Sequence, residues 1–190
     1  VRTHLNVPVS RMLPYNALLV PFTYFFIQNK FNPPSPTQNK LLMQYFWWAA
    51  LTNRFSSAVE TKIAKDLDRV KKILKGKSPS YRGEEINLTM DDLRWKWFSP
   101  GDAFCKGILC LYAYFQPRSF ATNSLVKLDN SWLKMSTSKN YHHFFPRHYL
   151  EKKRNYENWQ SNSVLNITLV DDYLNKRKIR ARAPSDYMGD

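Results

Sequence analysis

A run of ten residues, 41–50, constrains the fold of this 190-residue chain more than any other feature. Its sequence, LLMQYFWWAA, is apolar on nearly every side of the helix predicted over 40–53. A helix that is apolar all round is buried, so other helices have to surround it. Apolar residues also recur at helical spacing from Arg11 to Lys77, which predicts a mainly α fold with an N-terminal helical bundle.

Two further helices of the bundle are predicted on either side of this run. The first covers 14–28 and is kinked or restarted at Pro21, and the Pro-rich segment 32–36 that follows it is a loop. The other begins at the S-x-x-E capping box that starts with Ser57, and it stops at Gly76. The three helices together would bury the apolar run.

The chain is strongly basic, with 29 Lys and Arg against 15 Asp and Glu, a formal net charge of +14. Such a charge attracts polyanions, so nucleic acid is the first candidate partner and an anionic membrane surface the second. On the helix after Ser57, one stripe is formed by Ile63, Leu67, Val70 and Leu74. The side chains predicted to point away from that stripe are Lys62, Lys65, Arg69, Lys71, Lys72 and Lys75. They form either a solvated face or a phosphate-binding surface.

Both cysteines lie in one apolar segment. Residues 101–116 are predicted to form a buried helix that carries Cys105 and Cys110, after a short helix capped by Thr89. Two thiols cannot build a disulfide framework or a zinc cluster, which predicts a reducing, cytoplasmic environment. The longest apolar stretch, 13–27, contains prolines and is too short to cross a bilayer. Because the chain begins without Met or a signal-peptide pattern, it is interpreted as a piece of a longer reading frame.

The composition changes after Phe120, where Ser, Thr, Asn and Lys become frequent and long helical patterns stop. This change predicts two units, a helical bundle over 1–120 and a second domain over 121–190. The second unit contains three of the four histidines, His142, His143 and His148, and they lie within one stretch of seven residues. Chance clustering around a structural histidine is one interpretation of the cluster, and a catalytic site is the other.

The residues around this cluster carry a recognisable pattern. The sequence H-H-F-F-P occupies 142–146, Asn166 opens the apolar stretch N-I-T-L-V, and Asn175 is followed by Lys-Arg-Lys. The pattern resembles the HNH, or His-Me finger, nucleases, whose ββα-metal fold carries [D/H]-H-x-x-P, a central Asn and a later His or Asn. The segment 183–187 is similar to the Pro-Ser segment that closes the HNH domain of CRISPR effector nucleases. With the helical region in front, the chain resembles the C-terminal part of GmrSD-like modification-dependent restriction endonucleases.

The resemblance implies a role for each matching residue. His143 would be the general base, and Asn166 would hold its ring in the productive orientation. His142 and Asn175 would bind one divalent metal ion, with water and the scissile phosphate completing its coordination. Most of the family carries Asp at the first of these positions. A neutral imidazole there moves the expected preference from Mg²⁺ toward Mn²⁺, Ni²⁺ or Zn²⁺.

The function implied by the resemblance is metal-dependent hydrolysis of DNA by an endonuclease, with Arg147, Lys176, Lys178 and Arg180 contacting phosphates. The family context implies defence against foreign DNA in a bacterial cytoplasm and a nucleotide-dependent N-terminal domain outside this chain. Two alternatives stay open at this stage. One is a nucleic-acid-binding module whose nuclease site has decayed. The other is a basic scaffold or membrane-surface protein, which is disfavoured because the helices lack one broad basic face.

Overall fold

The computed structural model describes residues 7–120, 122–128, 141–170 and 182–187 of the chain. This part is mainly helical, as the sequence predicts, and it contains one small antiparallel sheet. The α-helices are α1 (Leu19–Gln28), α2 (Pro36–Leu51), α3 (Val59–Leu74), α4 (Met90–Arg94), α5 (Ala103–Tyr114), α6 (Arg147–Lys153) and α7 (Asn158–Ser161). The strands are β1 (Tyr141–His143) and β2 (Ile167–Leu169). Within the described ranges, no helix combines the length and the apolar character that a membrane span requires.

Helix α2 is the centre of the bundle, and the prediction that it is buried is confirmed. It contacts both α3 and α5. Helix α2 approaches α5 closely at Gly107. A Cβ atom added to this glycine would lie 3.4 Å from the Cβ atom of Ala50. The buried side chains of α2 are Leu41, Leu42, Tyr45, Phe46, Trp48, Ala49 and Ala50. They explain why the 41–50 run has no polar face.

The ends of the helices differ from the sequence prediction at three places. Helix α2 begins at Pro36 rather than at residue 40, because Ser35 and Gln38 form a capping box and proline is well suited to the first helical position. Helix α1 begins only at Leu19, which places Pro21 in the first turn, where the missing amide costs no helical bond. The capping box predicted at Ser57 does not form, because Ala58 caps α3 in a left-handed conformation.

A buried network of charges ties α2 to α3. Asp66 of α3 is 0% exposed, and its carboxylate accepts hydrogen bonds from Arg54 Nη2 at 2.9 Å and from Tyr45 Oη at 2.9 Å. Arg69 also donates to Asp66, at 2.5 Å, and its guanidinium lies 4.6 Å from the ring centroid of Trp48. The prediction that Arg69 points away from the helix's buried side is therefore wrong. Paired charges of this kind can be buried because each partner satisfies the other.

The sheet and its flanking helices pack directly on the bundle. Val164, Ile167 and Leu169 belong to the same hydrophobic core as the bundle residues. The backbone of 94–98 runs beside 162–164, where Phe98 N donates to Asn162 O at 2.9 Å and Val164 N donates to Lys96 O at 2.9 Å. The second part of the described chain is thus built against the first. The boundary at 120/121 stays a prediction.

Candidate nuclease site

Strand β1 contains two consecutive histidines, His142 and His143. It pairs antiparallel with β2, so that His142 lies opposite Thr168 and His143 lies opposite Ile167. Neighbouring residues of a strand point to opposite faces, and the two imidazole centroids are 6.4 Å apart. The two rings therefore have different surroundings and are available for different tasks.

The ring of His143 is held by Asn162. His143 Nε2 lies 2.8 Å from Asn162 Oδ1, and Asn162 Nδ2 donates to the carbonyl of Phe98 at 3.0 Å. The bond to Phe98 fixes which end of the amide faces the histidine, because only the amide nitrogen can donate. Since Oδ1 can only accept, Nε2 of the neutral ring carries the proton. Nδ1 is then left with the lone pair that a general base requires.

Burial is the main reason why the neutral form of His143 is favoured. Burial lowers the pKa of His143, and the positive charge of Arg147 acts in the same direction. The hydrogen bond to Asn162 and the carboxylate of Glu151 act the other way. Because the pKa of His143 is shifted downward from the ordinary value near 6.5, its neutral form predominates at neutral pH.

One ring nitrogen of His142 bonds the adjacent backbone, so Nε2 is the nitrogen with which the predicted metal ligand would bind. Its Nδ1 lies 2.7 Å from the backbone carbonyl of His143 and therefore carries the proton of the neutral ring. A ligating histidine usually donates one ring nitrogen to a carbonyl or carboxylate, which orients the other nitrogen toward the metal. Nε2 of His142 is that other nitrogen. Burial lowers the pKa of His142, so the neutral form that binds metal is favoured.

Asn166 clamps the loop that follows β1 and does not hold His143. Its Oδ1 accepts from Phe145 N at 2.8 Å, and its Nδ2 donates to the carbonyls of Phe145 at 2.9 Å and Ser161 at 2.8 Å. Asn166 also lies just before β2, at the end of a short 3-10 turn. The predicted ring-orienting role of Asn166 is corrected on this point, because Asn162 makes that contact. Asn166 shapes the loop from which the histidines project.

Arg147, the predicted phosphate contact at the start of α6, is paired within the protein. Its Nε donates to Glu151 at 3.1 Å, and its Nη2 donates to Asn158 Oδ1 at 2.5 Å. Glu151 also accepts from the hydroxyl of Ser161, which lies next to Asn162. These contacts fix α6 against α7 beside His143. The contact of Arg147 with phosphate stays a prediction.

The other predicted site residues, Asn175, Lys176, Lys178 and Arg180, lie outside the described residues, and their roles stay predictions. Of the proposed pair of metal ligands, the structure therefore describes His142. In the part of the chain that it covers, no group of three His, Cys, Asp or Glu side chains is placed to hold a metal ion. The fit of His142 to a metal rests on the orientation of its ring, described above.

The segment 183–187 contacts the loop that follows β1, and its resemblance to the end of an HNH domain stays a prediction. Tyr187 is buried, and its hydroxyl donates to the backbone carbonyl of Phe144. The ring of Phe120 packs against Phe144, with centroids 5.5 Å apart. The loop between His143 and α6 is thus held by Asn166 on one side and by Tyr187 on the other.

Sequence reasoning missed Asn162, Glu151 and Ser161. Asn162 is 6% exposed, and its amide is oriented by the backbone carbonyl of Phe98, which lies 64 positions earlier in the chain. No spacing rule connects residues that far apart. The local signal for Asn162 is weak, because an Asn after a short helix is ordinarily explained as the end of that helix.

We expect Asn162→Asp to raise the pKa of His143 by about one unit or more, because a carboxylate would then face the imidazole. Histidine NMR titration measures this pKa directly and does not depend on activity. The matched control is Asn158→Asp, four residues earlier at the start of α7, whose side chain contacts Arg147 instead of His143 and should shift the pKa less. Equal shifts in the two variants would contradict the assigned contact.

No family model matches the chain, and no solved structure matches it. The chain is similar to an uncharacterized protein of Methanocaldococcus jannaschii, with 28% identity over 186 residues. The aligned part covers 95% of this chain and 29% of the relative, so the chain spans less than a third of that protein's length. The alignment includes both the helical region and the segment that carries the histidines.

Proposed function

We propose that the chain is a metal-dependent DNA endonuclease of the HNH type. The observation that carries the proposal is the state of His143: its Nε2 proton is bound by Asn162, which leaves Nδ1 as the proton acceptor. A histidine held in this way by a third group is a recurring element of hydrolytic sites. The H-H-F-F-P motif, which begins on one strand of an antiparallel pair, and the hydrogen bond from Phe145 N to Asn166 support the same proposal.

In the proposed reaction, Nδ1 of His143 takes a proton from the attacking water. The water oxygen bonds to phosphorus as the bond between phosphorus and the 3′ oxygen breaks, and the leaving oxygen takes a proton from solvent. A divalent cation held by His142 and Asn175 would supply charge stabilisation at the phosphate. Asn162 keeps the ring of His143 aligned, and Asn166 keeps the loop beneath it in place.

The basic character of the chain supports DNA as the substrate. The net charge of +14 favours binding to a phosphate backbone, and Arg147, Lys176, Lys178 and Arg180 are the proposed contacts. The wider context is proposed from the resemblance to GmrSD-like enzymes. It comprises restriction of foreign DNA in a bacterial cytoplasm and a nucleotide-dependent domain N-terminal to this chain.

The proposed metal site is tested by changing the ligand that departs from the family pattern. Wild type is expected to be activated by Mn²⁺ or Ni²⁺ at lower concentration than by Mg²⁺, because His142 supplies nitrogen. His142→Asp supplies a hard oxygen and should shift the preference toward Mg²⁺. Plasmid cleavage across a metal series and calorimetric metal titration both measure the shift.

The matched control for this experiment is His148→Asp, the same exchange at an exposed histidine on α6. It should leave the metal preference unchanged. If His142→Asp and His148→Asp give the same metal profile as wild type, His142 is not a ligand. DNA binding without cleavage in every metal would favour the alternative of a non-catalytic binding module.

A further inference from the structure

A cleft with aromatic walls lies beside the candidate nuclease site. The cleft has a volume of about 480 Å³, and we refer to it below as the Trp95 cleft. Its apolar lining consists of Trp95, Phe145, Leu150, Tyr156, Trp159 and Leu165. The rings of Trp95 and Trp159 stack, with centroids 4.3 Å apart and planes inclined by 28°.

The lining of this cleft is unusually exposed for such side chains. Trp95 is 64% exposed, and Phe145, Tyr156, Trp159 and Leu165 are also exposed to solvent. Aromatic side chains normally contribute to the core, where burial of their large surface stabilises the fold. A contiguous exposed apolar patch with a concave shape indicates a binding surface.

The backbone of the catalytic motif forms one wall of the Trp95 cleft. Phe145 lies two residues after His143, and Asn166 binds both the amide and the carbonyl of Phe145. Asn166 itself lines the cleft. A group seated in the cleft is therefore held at a fixed position relative to the imidazole of His143.

The chemistry of the cleft suits a nucleobase. Stacked indole rings bind the flat faces of bases of any sequence. The rim supplies polar groups from Gln160 and Ser163 and from Arg94, which pairs with Asp91 of the same rim at 3.3 Å. On the adjoining helix α6 Arg147 pairs with Glu151 at 3.1 Å, so the excess of positive charge there comes from Lys152, Lys153 and the following Arg154. That excess of positive charge favours a polyanion over an apolar protein segment as the occupant.

We propose that the Trp95 cleft binds an unpaired base of the DNA substrate, an inference that rests on the proposed nuclease function. Bases inside a duplex present their faces only to each other, so stacking on Trp95 requires a single-stranded or everted nucleotide. The chain would then bind single-stranded DNA, or duplexes with an unpaired base, more tightly than it binds fully paired DNA of the same length.

Tryptophan fluorescence titration with oligo(dT) tests the proposal without requiring cleavage. Wild type should show quenching, and Trp95→Ala should bind oligo(dT) about tenfold more weakly or worse, with a smaller loss for fully paired DNA. The matched control is Trp97→Ala, since Trp97 is also exposed but does not line the cleft. Equal losses in the two variants, or none in Trp95→Ala, would overturn the proposal.

Crosslinking of the unaltered protein covers the case in which Trp95→Ala fails to fold. An oligonucleotide carrying 5-iodouracil should crosslink to peptides that contain Trp95, Tyr156 or Trp159. Crosslinks confined to other peptides would overturn the proposal, as would self-association through the cleft in place of DNA binding. Metal-dependent cleavage combined with unchanged oligo(dT) binding by Trp95→Ala would refute base binding in the Trp95 cleft. The proposed nuclease function would be unaffected by that result.

Discussion

Replacing His143 with Ala is expected to lower the rate of DNA cleavage by about 10²- to 10⁴-fold, the range typical of losing a general base. DNA affinity should change little, because phosphate contacts elsewhere supply most of it. Plasmid cleavage and fluorescence anisotropy measure the two quantities separately. A parallel loss of both would favour the non-catalytic binding module, and unchanged cleavage would remove His143 from the reaction.

Two controls keep this result interpretable. His148→Ala removes an exposed histidine from α6 and should leave cleavage unchanged. His143→Gln retains an N–H group that can donate to Asn162 Oδ1, but its amide cannot accept the proton. The Gln variant should therefore lose as much activity as the Ala variant while unfolding at a temperature closer to that of wild type.

Replacing Asp66 with Ala is expected to destabilise the fold by about 3–5 kcal/mol, because it leaves Arg54 as an insufficiently paired buried charge. The Arg54 side chain is 4% exposed, and Asp66 accepts from it through both carboxylate oxygens. Urea denaturation measures the change in the free energy of unfolding.

Asp68→Ala is the matched control for Asp66, two residues further along α3. Asp68 pairs with Lys71 at 2.8 Å on the exposed side of the helix, where solvent screens the two charges and the pair contributes little to stability. A large difference between the two variants is therefore expected. Similar effects would mean that the Asp66 network does not stabilise the bundle.

A helix could be predicted from the sequence where the pattern that specifies it lies within a single segment. The 41–50 run is apolar on nearly every side, and seven of its ten side chains are buried. Thr89 forms the capping box that its T-x-x-D pattern predicts, whereas Ser57 does not, although its pattern is equally good. The difference is the left-handed conformation of Ala58, with φ of 48°, which moves the start of α3 beyond the reach of Ser57.

The candidate site shows the same division between local and long-range information. The pattern around His143 is local, and the structure places His143 on a strand that pairs antiparallel with the strand after Asn166. The partner of its ring could not be found in this way, because Asn162 is oriented by Phe98 from the bundle side. Asn166 was the natural candidate from the motif, but its amide is fully used by the loop backbone.

The central claim is that the site at His142 and His143 hydrolyses DNA with the help of a divalent metal ion. Plasmid cleavage with analysis of the product ends tests this claim most directly. Supercoiled plasmid would be incubated with the chain in Mn²⁺, Ni²⁺ or Mg²⁺ and in excess chelator. The proposed reaction predicts nicked or linear DNA with 5′-phosphate and 3′-hydroxyl ends in metal, and no product in chelator. Intact plasmid in every metal, or full cleavage in chelator, would contradict it.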